Sequence, residues 1–142
     1  MHALTLHVGI ATLRPLRRGV KTRALPAERV MLSDRVAEAV NAARAEGRRV
    51  VAVGTTTTRA LEAAARRTGQ VEALEGEVDL FIRPGHVFRV VDALLTNFHL
   101  PRSPLLVLVS AFADRALILQ AYAHAVRAGY RFYSYGDATL IE

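Results

Sequence analysis

Cysteine is absent from all 142 residues. That excludes disulfides and thiolate metal ligands, and it fits a reducing compartment, so the expected location is the cytoplasm. No apolar run approaches the roughly 20 residues a membrane helix needs. The longest begins at Pro104 and is ended by Asp114 and Arg115, so no membrane span is expected. The first residues, M-H-A-L-T-L-H-V, lack the charged head, apolar centre and cleavage site of a signal peptide. Lysine is also scarce. Of nineteen basic residues all but Lys21 are arginine, against thirteen acids, for a net charge of +6.

What is present is the composition of a folded domain. Hydrophobic residues make up 51% and charged residues 23% of the chain, too apolar for a disordered segment. The arginine bias suits phosphate or carboxylate recognition through the planar guanidinium, and it equally suits a genome or growth temperature that favours arginine. Arg14, Arg17, Arg18, Lys21, Arg23, Arg29 and Arg35 cluster in the first third, either as a basic arm for nucleic acid or as a solvated loop.

Periodicity predicts an α/β chain. Leu4 to Val8 alternates as a strand stopping at Gly9, and its position almost at residue 1 implies neighbours from elsewhere. Residues 19–32 read as a loop or short edge strand. A helix is predicted from the Ser33 cap to about Glu46, stopped by Gly47, followed by a strand at Arg49 to Val53 covered on both faces. Gly54 and four threonines lead into a helix over Arg59 to Arg67. Residues 70–77 read as a surface loop, Val78 to Ile82 and His86 to Val91 as short strands, and Leu105 to Phe112 and Ala116 to Ala128 as helices. Tyr130 to Tyr135 and Ala138 to Ile141 read as strands. The expected fold is therefore one α/β domain, a mixed, largely parallel sheet flanked by helices.

Chemistry concentrates in D-A-L-L-T-N-F-H-L-P, residues 92–101. Asp92, Thr96, Asn97 and His99 lie in an apolar run, and buried polar groups need partners, either from the protein or from a bound molecule. Asp92 and Asn97 are expected to orient the His99 imidazole and tune it near neutral pH. In V-A-V-G-T-T-T-T-R, Gly54, Thr55 and Thr56 sit where a strand enters a helix, a position suited to an anion or a ribose, or simply to capping the helix. Asp137 follows Gly136 at a strand end, where ligands commonly bind or where an Asx turn forms. Tyr133 and Tyr135 can stack on a base or build core. No histidine pair has metal-site spacing, so no metal is expected.

Five blocks carry a resemblance in one collinear order: L-T-L-H-V-G, V-A-V-G-T-T-T-T-R-A-L-E, V-V-D-A-L-L-T-N-F-H-L-P, the S-A-F-A that follows, and Y-R-F-Y-S-Y-G-D-A-T-L-I. Together they resemble the C-terminal part of S-adenosylmethionine:tRNA ribosyltransferase-isomerase of queuosine biosynthesis. The resemblance implies transfer of the ribosyl part of S-adenosylmethionine, a cosubstrate, onto 7-aminomethyl-7-deazaguanine in a tRNA anticodon, with isomerisation to epoxyqueuosine. It implies His99, Asp137 and Asn97 as catalytic residues, and Gly54, Thr55, Thr56, Arg59, Asp92, Thr96 and Arg102 as substrate-binding. The implied partners are tRNA and S-adenosylmethionine.

The departures from that family are specific. Its members are more than twice as long, with an N-terminal portion, an inserted β-barrel domain and an A-P-T-A-G-L-H-F block ahead of the strand at Leu4. Where they read G-x-G-T-F, this chain has Gly9, Ile10, Ala11, Thr12 and Leu13. Where they read H-x-M-H-x-E, it has Arg23, Ala24, Leu25, Pro26, Ala27 and Glu28. Two readings follow: an enzyme segment that needs an N-terminal half-enzyme chain, or a non-catalytic remnant that binds tRNA or S-adenosylmethionine without turnover. A third, an unrelated phosphate-binding protein using the Gly54 loop, leaves the other blocks unexplained. The missing half implies exposed apolar surface and self-association.

Overall fold

The computed structural model describes residues 1–13, 15–16 and 26–142, with only the backbone of residues 11 and 13. Arg14, Arg17, Arg18, Lys21 and Arg23 of the basic cluster, and the positions of the first motif histidine and of the methionine, lie outside the described residues.

In chain order the elements are β1 (Thr5–Leu6), α1 (Ile10–Leu13), β2 (Glu28–Leu32), α2 (Asp34–Ala45), β3 (Val51–Val53) and α3 (Thr55–Ala64). There follow β4 (Leu74–Val78), β5 (Ala93–Asn97), α4 (Pro104–Phe112), α5 (Arg115–Arg127), a 3-10 turn (Tyr133–Tyr135) and β6 (Ala138–Ile141). The mixed α/β architecture is as expected, but the strands form two three-stranded sheets, β1-β2-β4 and β3-β5-β6, rather than one. The parallel content is smaller than expected. Among the described residues only β3 with β5 is parallel; β1-β2, β2-β4 and β5-β6 are antiparallel.

Several local expectations need correction. Residues 28–32 are the central strand of the first sheet, not an edge. Residues 74–78 are its neighbour rather than a loop: Leu74, Gly76 and Val78 alternate with Glu75 and Glu77, a half-solvated strand whose glycine and acids disguise it. The segment 79–92 contains no strand. Its backbone is instead held by side chains of α3, since Arg59 Nε donates to Leu80 O and Glu62 accepts from the N–H groups of Arg89, Val90 and Val91. Residues 130–135 form no strand either; Tyr133 takes a left-handed φ of 70° that breaks the extended run.

Helix ends are set by local chemistry. Ser103 accepts from Leu106 N with Pro104 at the first helical positions, and Asp114 accepts from Ala116 N and Leu117 N. Gly47 ends α2 at φ 69°, the conformation that favours glycine. No single described helix is long and apolar enough to cross a membrane; α4 and α5 pass that test only as a pair, bent by 118°.

Helix α3 contacts both sheets, touching β1 and β4 on one side and β3 and β5 on the other. Its buried Ala60, Leu61 and Ala64 join Val30, Leu32, Val78, Ala52, Leu94, Leu108, Val109 and Ile141 in one core. In the second sheet Ala52, Leu94 and Ile141 stand in register and face this core, all under 9% exposed. The next row, Val53, Leu95 and Leu140, faces away and is 62%, 36% and 55% exposed. The expectation that Arg49 to Val53 is covered on both faces is therefore met on one face only. Strands apolar on both faces belong to sheets with a layer on each side, and among the described residues the second layer is absent.

Candidate functional site

Parallel pairing of β3 with β5 brings their C-terminal ends to the same edge, and antiparallel β6 starts there. Gly54 N–H donates to Leu95 O at 2.8 Å, which ties the threonine-rich entrance of α3 to the end of β5. Asn97 pairs in register with Ala138, and its Nδ2 donates to Asp137 O at 3.5 Å. The polar groups at Gly54, Asn97, His99 and Asp137, far apart in sequence, therefore share one sheet edge. This is the position at which open α/β sheets bind ligands.

Gly54 has φ 91°, which only glycine adopts without strain. No side chain among the described residues caps α3. Thr57 Oγ1 donates back to Val53 O and Thr58 Oγ1 to Gly54 O, while Thr55 is buried and Thr56 half-buried. The first-turn N–H groups are thus not taken by a cap, which leaves the positive end of the helix dipole at this edge.

His99 is only 6% exposed. Its N–H donates to the Tyr122 hydroxyl at 3.0 Å, and its Nε2 lies 3.2 Å from Oγ1 of buried Thr96. Burial pushes the imidazole down to about 4, because a charged ring in an apolar site loses its hydration without gaining a counter-charge. This corrects the expectation of a near-neutral imidazole oriented by Asp92. Asp92 is exposed at the other end of β5, roughly 16 Å along the strand from Asn97. Its carboxylate accepts from Val50 N–H at 2.8 Å, beside Arg44, Arg48, Arg49 and Arg89, which with it line an open depression of about 260 Å³. The imidazole's partner is Thr96.

Asp137 closes the loop after α5. It accepts from Arg131 N at 2.7 Å and from Arg131 Nη2 at 3.0 Å, and its own N–H donates to Arg131 O. The guanidinium and backbone N–H of Arg131 hold the carboxyl below its ordinary value. Arg102, exposed in the β5-α4 turn, has a left-handed φ of 59°, and its carbonyl accepts from Leu16 N–H.

Arg59 is spent internally. At 1% exposure its Nη1 pairs with Glu28 Oε2 at 2.6 Å and its Nε bonds Leu80 O, while Nη2 is buried with no hydrogen-bond partner among the described residues. Glu28, the glutamate kept from the H-x-M-H-x-E block, also accepts from Gly9 N and Thr12 Oγ1, both at 2.7 Å. This network joins the Gly9 turn, β2 and α3. Sequence reading missed it, and also missed the Glu62 network and the Arg131 clamp, because each links residues without a shared local period. The one available signal was an acid and an arginine inside otherwise apolar stretches. Among the described residues no three His, Asp or Glu side chains gather as a metal-ligand set.

Comparison with known proteins matches residues 1–141 to the family model described as queuosine biosynthesis protein. A curated protein of Thermus thermophilus, named S-adenosylmethionine:tRNA ribosyltransferase-isomerase, is 60% identical over 138 residues, which is 97% of this chain and 40% of that protein. One of the same name from Rhodopseudomonas palustris is 53% identical, covering 99% of this chain and 39% of its own length. The crystal structure of S-adenosylmethionine tRNA ribosyltransferase from Thermotoga maritima is similar with TM-score 0.76 and 50% identity, over 81% of this chain and 41% of that one. The chain thus spans about two fifths of the length of the relatives it matches.

Proposed function

Because the chain belongs to the queuosine biosynthesis protein family, we propose that it supplies the C-terminal part of a cytoplasmic ribosyltransferase-isomerase site. The reaction is transfer and isomerisation of the ribosyl moiety of S-adenosylmethionine onto 7-aminomethyl-7-deazaguanine in a tRNA anticodon, giving epoxyqueuosine. The observation that carries this reading is the shared edge of β3, β5 and β6, where Gly54 is bonded to the end of β5 and Asn97 to the Asp137 backbone. In this reading the first turn of α3, with Thr55 and Thr56, meets the ribose or carboxylate of the cosubstrate, Asn97 and Thr96 fix polar contacts, and Arg102 meets the tRNA backbone.

The titration states limit the roles of the two catalytic candidates. At neutral pH His99 is an uncharged imidazole and Asp137 a carboxylate, so both accept protons and neither holds one to give. In this reading one of them receives the proton that the sulfonium acidifies on the ribosyl 5′ carbon, each as a weaker base than its free side chain. The acid that assists adenine departure is then the group that first collected a proton, or one outside these 142 residues. Of the candidate residues only Asp92 lines any of three open depressions of about 480, 270 and 260 Å³, the last of them. In this reading the walls of the site come from the family portion beyond the matched two fifths, together with the uncovered row of Val53, Leu95 and Leu140.

The test incubates the chain with S-adenosylmethionine and precursor-modified tRNA, with and without a family N-terminal half, and follows adenine release. Release only in the mixture supports the proposal. Binding without release in either case identifies a non-catalytic remnant and overturns it.

A further inference from the structure

The loop after α5 holds two tyrosine rings in solvent at an energetic cost. Phe132 anchors it, with ring centroids 5.3 Å from Phe98 and 5.8 Å from Tyr122. Tyr133 then adopts φ 70°, a region that strains a side chain with a Cβ and that glycine would enter freely. Beyond it the backbone folds so tightly that a Cβ on Gly136 would run into Arg131 O. The double clamp of Asp137 on Arg131 closes the turn, and Tyr133 N–H donates to Phe98 O at 2.8 Å.

This fixed geometry leaves Tyr133 40% and Tyr135 95% exposed. An apolar ring gains from burial, yet nothing in the described chain covers Tyr135. Strained backbone held in a closed turn points toward function. The location supplies the occupant: Tyr133 is bonded to the carbonyl of Phe98, which stands between Asn97 and His99. The turn that carries the rings therefore borders the edge assigned above to the cosubstrate, and both reactants of the proposed reaction carry a purine-like heterocycle.

We propose that Tyr133 and Tyr135 form a stacking platform for a purine ring, with Tyr135 supplying the main face. The inference rests on the functional reading for its ligand class. Its chemistry is a flat π-face offered to any purine, so the heterocycle can be the adenine of S-adenosylmethionine or a base of the tRNA anticodon loop. Stacking needs the ring and not the hydroxyl, which separates it from a hydrogen-bonding or structural role.

The intact chain is titrated, in separate arms, with S-adenosylmethionine, with a short single-stranded purine-rich RNA and with ribose 5-phosphate as a base-free control. The readout is the aromatic NMR spectrum, in which the four tyrosine rings stand beside five phenylalanines and five histidines and no tryptophan. Upfield shifts of the Tyr135 ring signals are expected with a purine-bearing probe and not with ribose 5-phosphate. The arm that shifts them identifies the source of the base. Tyr135→Ala should weaken that binding about tenfold, Tyr135→Phe should keep it, and neither should change thermal unfolding. Equal affinity of Tyr135→Ala and the unsubstituted chain, loss in Tyr135→Phe, or shifts with neither purine probe would overturn the platform. Adenine release in the two-half mixture that is indifferent to Tyr135→Ala would remove the platform and keep the functional reading. Purine stacking without release would do the reverse.

Discussion

The two ends of strand β5 treat their polar groups differently. At the N-terminal end the carboxylates are consumed by the protein: Glu62 takes the N–H groups of Arg89, Val90 and Val91 within 3.0 Å and meets His86 Nε2 at 3.4 Å, and Asp92 takes Val50 N–H. At the C-terminal end the His99 ring makes one hydrogen bond among the described residues, with Thr96. There the α3 N–H groups lack a side-chain cap, and Tyr135 stands in solvent. Buried groups that the fold satisfies hold the fold together; groups left with capacity at a sheet edge are the ones a ligand can use.

The largest effect should come from breaking the closed end. Glu62→Ala strips three backbone donors of their acceptor, each costing about 1–3 kcal/mol when buried and unpaired. Chemical denaturation should show a loss of at least about 3 kcal/mol, or no folded protein. A loss under about 1 kcal/mol would mean that segment 79–92 is held by something else.

The open end sharpens the contrast through pH. The folded imidazole of His99 sits at about 4 and the unfolded one near 6.5, so the unfolded chain binds the proton first as pH falls. The stability His99 contributes is complete above about pH 6.5 and declines as pH drops toward 4, by on the order of 3 kcal/mol. His99→Gln should flatten the stability profile between about pH 6.5 and 4.5. An unchanged profile would show the ring to be solvated.

A smaller effect is expected from the outer face of the same sheet. Val53, Leu95 and Leu140 form an uncovered apolar row, so the chain alone should self-associate in analytical ultracentrifugation, and the double variant Val53→Thr, Leu140→Thr should shift it toward monomer. A clean monomer before substitution would count against an interface on this face.

Legibility in sequence followed the range of the interactions. Helices α2, α4 and α5 and strands β3 and β6 have periods or caps written locally, and they stand within a residue or two of their expected bounds. Strand β4 was hidden because its inward positions include Gly76 and its outward ones are acids, so it resembles a loop until it is paired with β2. Segments 79–82 and 86–91 carry β-branched residues but satisfy their backbone through Arg59 and Glu62, partners that no local window contains. For the site, the meeting of the Gly54 entrance with Asn97 follows from the order strand, glycine, helix and from parallel pairing. The distance of Asp92 and the low pKa of His99 do not, because they depend on which strand end each occupies and on burial.

The most direct measurement is a backbone chemical-shift map of the labelled chain titrated with S-adenosylmethionine, assembled with the family N-terminal half. Shifts concentrated at Gly54 to Thr56, Asn97 to His99 and Asp137, with the Glu62 and Asp92 end of β5 unmoved, are expected. Shifts confined to the Asp92 end, or none at saturating cosubstrate, would contradict the assignment of the β3-β5-β6 edge as the binding face.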